Sequence, residues 1–230
     1  MSLILGRGAR QRWRVATLSM SLLAMTACGS SDEPQAGPPD DYVCDISPGS
    51  TEEKLLLHVL RADSFTTRHG SPTHMFVERV QDRLRENAKD GSSYSVRQCE
   101  YFPNGKYGGG QATIEYDWSP LTAPEGGKDA EGTRHYELNG VAGESNDVMT
   151  DLYVRCDMPG ALGTPSRKVL LHADASFTVN LGEVHDHGTQ DQQMDFVYRM
   201  TRRATEVLGC ENKPLEKDPV VKPVAGTGTS

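Results

Sequence analysis

Cys44 and Cys99 lie 55 residues apart, and Cys156 and Cys210 lie 54 apart. The segments inside these spans also resemble each other. The first runs Cys44-Asp45-Ile46-Ser47-Pro48-Gly49, then Leu56-Leu57-His58, then Ala62-Asp63-Ser64-Phe65-Thr66. The second runs Cys156-Asp157-Met158-Pro159-Gly160, then Leu170-Leu171-His172, then Ala175-Ser176-Phe177-Thr178. Cys44 to Phe65 and Cys156 to Phe177 are both 21 residues. Further on, Phe76-Val77-Glu78-Arg79-Val80 matches Phe196-Val197-Tyr198-Arg199-Met200. Shared order, spacing and cysteines point to an internal duplication. Four cysteines allow three pairings. Equivalent cysteines doing equivalent work favours Cys44–Cys99 and Cys156–Cys210. A bridge closing a loop of about 55 residues contributes about 4 kcal/mol in the chain-entropy model.

Local signals give an α+β pattern: two similar lobes, helices packed on antiparallel strands, one disulfide per lobe. Ser50-Thr51-Glu52-Glu53 is a capping box ahead of Leu55-Leu56-Leu57-His58-Val59-Leu60 and predicts a helix. Its counterpart opens with Thr164-Pro165 before Val169-Leu170-Leu171; runs this short also suit a buried strand. Phe76, Val80 and Leu84, with Val77, form a helical stripe opposed by Glu78, Arg79, Asp82 and Arg83. Val197, Met200, Ala204, Val207 and Leu208 repeat it, with Arg199, Arg202 and Arg203 outside. Period-two alternation marks strands at 112–118 and 148–154, and 94–102 leads into a turn at Pro103-Asn104-Gly105.

The fifth cysteine belongs to a different device. Arg7, Arg10, Arg12 and Arg14 precede an uncharged run from Val15 to Ala27, too short to span as a stop-transfer helix. The run ends Leu22-Leu23-Ala24-Met25-Thr26-Ala27-Cys28-Gly29-Ser30. Small residues directly before a cysteine at this place resemble the lipobox of bacterial lipoproteins, with Met25 where that family usually has Leu. The resemblance implies cleavage before Cys28 and a diacylglyceryl and palmitoyl-type lipid on that residue. It also implies a chain anchored to the cell membrane on its extracytoplasmic face. With 16 Arg against 8 Lys, the composition is similar to that of lipoproteins from high-GC Gram-positive bacteria.

The expected organisation follows: signal peptide 1–27, flexible tether 28–42, first lobe 43–118, loop 119–133, second lobe 134–211 and disordered tail 212–230. The tether is Gly-, Ser-, Pro- and acid-rich, and the tail holds Pro214, Pro219 and Pro223. Losing the four signal arginines makes the mature chain four charges more negative than the −8 of the whole. An anionic bilayer repels such a chain, so the lipid on Cys28 is the expected membrane contact. With 24 Lys+Arg against 32 Asp+Glu and no basic run, nucleic acid is not an expected partner.

Chemistry-bearing motifs are few. Glu183-Val184-His185-Asp186-His187, if extended, puts Glu183, His185 and His187 on one face, a weak candidate ligand set for zinc or copper. A solvated loop between Gly182 and Gly188 explains it as well, and no cofactor is expected. His58 and His172 each follow Leu-Leu, which reads as packing in a duplicated core. Gly143-Glu144-Ser145-Asn146-Asp147 lacks the second glycine of a nucleophile elbow. Gly108-Gly109-Gly110 lacks the Lys-Ser/Thr ending of a phosphate loop. Tyr107, Tyr116 and Trp118 could form an aromatic platform for a sugar or peptide, but alternation favours Tyr116 and Trp118 as core. The expected function is a non-enzymatic binding or accessory lipoprotein. The alternative is a metal-dependent extracytoplasmic enzyme acting on cell-envelope material through His185, His187 and nearby acids.

Overall fold

The computed structural model describes residues 41–91, 94–104, 110–122, 132–178 and 187–224, with His187 and Gly188 described by their backbone alone. In chain order the elements are α1 (Thr51–Leu60), β1 (Ser64–His69), α2 (Thr73–Asp90), β2 (Val96–Asn104) and β3 (Gln111–Pro120). Then follow β4 (Arg134–Leu138), β5 (Val141–Ser145), β6 (Met149–Val154), α3 (Gly163–Ser166), β7 (Val169–Thr178), α4 (His187–Leu208) and β8 (Lys222–Pro223). The fold is α+β. Among the described residues, eight strands join one antiparallel sheet in the order β1-β2-β3-β7-β6-β5-β4-β8.

The two halves of the chain are the two ends of this sheet. They meet where β3 pairs with β7 over ten residues, from Gln111↔Thr178 to Pro120↔Val169. Each half keeps its own bridge. Cys44–Cys99 and Cys156–Cys210 hold their Cα atoms 5.5 and 5.0 Å apart, inside the usual disulfide range. The order cysteine, helix, strand, helix recurs as Cys44-α1-β1-α2 and Cys156-α3-β7-α4. The closing cysteines then differ: Cys99 lies within β2, whereas Cys210 stands two residues after the end of α4.

Local chemistry sets the helix ends. Glu53 N–H donates to the Ser50 hydroxyl at 3.2 Å, and Gly49 N–H donates to the Glu53 carboxylate at 2.5 Å, so the capping box closes one residue early. Gly91 ends α2 at φ 74°, a left-handed cap that glycine adopts without steric penalty, and its N–H donates to the Asn87 carbonyl. Along α2, Phe76, Val80 and Leu84 are buried, as their spacing predicts.

The core lies between the sheet and the helices. Tyr116 and Trp118 are core residues: Phe76 packs edge-on against Tyr116 at 5.3 Å, and Trp118 Nε1–H donates to the Val80 carbonyl at 2.9 Å. Phe196 of α4 sits between Tyr101 of β2 and Phe177 of β7, with centroids 5.9 and 6.3 Å away, so one helix serves both halves. Gly143 of β5 lets α4 close in. A Cβ there would lie 2.8 Å from Met194 Cε and 2.9 Å from the Asp151 carbonyl.

Four expectations need correction. A disordered tail is expected over 212–230 from its prolines, but residues 212–224 pack on the domain. Leu215 is buried, the Tyr198 hydroxyl donates to the Lys217 carbonyl at 3.0 Å, and β8 pairs with β4. The physical reason is that α4 is apolar on more than its sheet-facing side, and this segment covers buried Tyr198. Residues 225–230 lie outside the described residues. The end of the tether also packs, since Tyr42 stacks on His69 at 4.1 Å and Thr73 N–H donates to the Asp41 carbonyl. Of the loop 119–133, Ser119 and Pro120 belong to β3 and Thr133 is buried, while 123–131 lie outside the described residues. The fourth correction concerns His58 and His172. Leu-Leu-His is helical in α1, leaving His58 exposed, and extended in β7, carrying His172 to the sheet face opposite the core.

Candidate functional site

Strict alternation builds this second face. In β7, Val169, Leu171, Ala173, Ala175 and Phe177 are buried, so Leu170, His172, Asp174 and Ser176 project the other way. In β3, Thr113, Glu115 and Asp117 take the same side; in β6, Asp151 and Tyr153 do. Helices α1, α2 and α4 pack on the opposite, apolar face, and among the described residues no helix covers this one.

His172 is its centre. Its Nδ1 lies 2.9 Å from Asp117 Oδ1 on β3, and its Nε2 lies 2.8 Å from Asp151 Oδ1 on β6. The Tyr153 ring stacks on the imidazole at 4.6 Å, 6° from parallel. A carboxylate accepting at each nitrogen requires a proton on both, which is the imidazolium form. Burial alone would lower the His172 pKa, but the hydrogen bonds and charges of Asp117 and Asp151 override it and raise it to about 9. At neutral pH this histidine is therefore a fixed cation and a poor general base.

Beside it runs a cross-strand row. Register places Arg97 opposite Glu115, Glu115 opposite Asp174, Asp174 opposite Asp151, Asp151 opposite Glu144, and Glu144 opposite His135. Like charges directly opposite each other repel. A cation and a hydroxyl donor offset this at Glu115: Arg97 Nε–H donates to it at 2.6 Å, and the Ser95 hydroxyl also donates to it. At the other end His135 Nδ1 lies 3.7 Å from Glu144. Burial pushes the Glu115 carboxyl up, but Ser95 and Arg97 bring it below the usual range. Burial and the Asp151 charge push Asp174 up, and His172 opposes them. Burial, followed by the surrounding carboxylates, holds the Tyr153 phenol protonated.

Of the residues singled out from sequence, the four bridging cysteines come together as expected. Cys28, Tyr107, Glu183 and His185 lie outside the described residues, and His187 is the first residue of α4. Among the described residues no three His, Cys, Asp or Glu side chains are arranged to hold a metal ion. No described helix is long and apolar enough to cross a membrane. The Asp117–His172–Asp151 clasp escaped motif reasoning, although period two across 169–178 signals it by placing His172, Asp174 and Ser176 on one face. No protein-family model matches the chain, and neither a curated protein nor a solved structure matches it significantly.

Proposed function

We propose that the chain is a lipid-anchored extracytoplasmic lipoprotein whose domain is a non-enzymatic binding or accessory module, with the sheet face opposite the helices as its binding surface. The observation that carries the binding role is the ordered row of carboxylates on that face, Glu115, Asp174, Asp151 and Glu144. Their field favours a cationic ligand, and partial burial lessens its screening by salt. The fixed charge on His172 supports binding over base catalysis. The uncharged run ending at Cys28 supports the anchor, and two disulfides suit an oxidising compartment.

Two measurements test this. Metabolic labelling with a fatty-acid probe should mark the wild-type chain and leave Cys28→Ser unmarked and unprocessed; equal labelling of both would sink the anchor. Fluorescence anisotropy of the full chain in detergent micelles should show oligolysine binding that weakens in Glu115→Gln/Glu144→Gln. Oligoglutamate should not bind. Equal affinity of oligolysine for both proteins would remove the open face as the binding surface.

A further inference from the structure

Among the described residues, Asp174 has no cationic side chain in contact, whereas its neighbours in the row, Glu115 and Asp151, each have one. Glu115 has Arg97 at 2.6 Å, Asp151 has His172 at 2.8 Å, and Glu144 faces His135 at 3.7 Å. Asp174 receives no hydrogen bond from any described side chain. Groups from each neighbouring strand act on it: Glu115 and Asp117 from β3, Asp151 from β6, and His172 from its own strand β7. Three of these four are negative. Asp174 is also half-buried, so water only partly shields it.

We propose that Asp174, paired across the strand gap with Asp151, is a proton-binding site that regulates the charge of the open face. A carboxyl flanked by carboxylates relieves their repulsion by taking up a proton, while Asp151 keeps its contact with His172 at 2.8 Å. Burial and the Asp151 charge lift the Asp174 carboxyl above its usual range, in keeping with that geometry. The face thus loses one negative charge at a pH above that at which an ordinary aspartate protonates, while the pairing of β3, β7 and β6 is retained. An extracytoplasmic domain meets such changes directly. The consequence for a ligand rests on the proposed binding role; the protonation itself does not.

The test is a side-chain carboxyl 13C NMR titration of the full chain, labelled at aspartate and held in detergent micelles, with Asp174 identified by loss of its signal in Asp174→Asn. We expect the Asp174 midpoint to stand above that of exposed aspartates in the same spectra. Asp151→Asn should move it down, and His172→Gln should move it up. A midpoint level with the exposed aspartates overturns the proposal, and so does one unmoved by Asp151→Asn. If a variant fails to fold, through-bond assignment from the backbone identifies the Asp174 carboxyl in the wild-type titration, and its midpoint relative to the exposed aspartates decides the matter. A raised Asp174 midpoint with no oligolysine binding at any pH would leave the proton site standing and overturn only the binding role.

Discussion

His172 and Asp151 are 21 residues apart in the chain and 2.8 Å apart in the fold. They meet diagonally across β6 and β7, with Asp117 on the far side of the ring at 2.9 Å. One imidazolium thus ties together three central strands, two of them at the seam between the halves of the sheet.

Stability should therefore fall as pH rises through the alkaline range. The folded pKa of His172, about 9, lies above its ordinary 6.5, so the clasp contributes fully below 6.5 and is lost as pH passes 9. Urea unfolding midpoints at pH 6 and pH 10 measure this. The wild type should lose markedly more stability across that range than His172→Gln, and equal losses would show that the clasp is not coupled to folding.

At neutral pH, His172→Ala should destabilise by about 2 kcal/mol, because charge-assisted hydrogen bonds are lost and two partly buried carboxylates are left facing each other. His172→Ala combined with Asp117→Asn should recover part of that loss. A double-mutant cycle in urea reads the coupling.

Gly143→Ala tests the approach of α4 to the sheet. The new methyl would meet Met194 Cε at 2.8 Å and the Asp151 carbonyl at 2.9 Å, and overpacking of this kind costs about 1–3 kcal/mol. Adding Met194→Ala should relieve only the first contact, since the second is to backbone. Complete rescue in thermal melts would contradict the backbone contact.

Leu215→Ala should cost about 2–5 kcal/mol, the range for a buried leucine. A tail would tolerate the change. Chemical denaturation distinguishes the two, and proteolysis should become faster between Asn212 and Val224 in the variant.

Non-reducing peptide mapping should recover Cys44–Cys99 and Cys156–Cys210 as the bridged pairs. Removing either pair by Cys→Ser substitution should lower stability by about 4 kcal/mol in the chain-entropy model. A peptide joining Cys99 to Cys156 would contradict the pairing.

Residue order by itself determined the elements that depend on local chemistry. Ser50 and Glu53 cap α1, Phe76, Val80 and Leu84 stripe α2, and alternation from Ala112 to Trp118 makes β3 a half-buried strand. Matched spacing determined the two bridges, because the cysteines recur with their surrounding segments. Tertiary structure decided the rest. Leu-Leu-His became helix once and strand once, since α1 lies on α4 whereas β7 is held between β3 and β6, where ladder hydrogen bonds override a weak local preference. The same placement put Asp117, Asp151, His172 and Asp174 on one face, although no two lie next to each other in the chain. Their charge states follow from distances of a few ångströms across strands, a quantity that depends on register and topology. The segment after Cys210 makes the same point: prolines mark it as irregular, but only the exposed side of α4 decides whether an irregular chain has something to pack on.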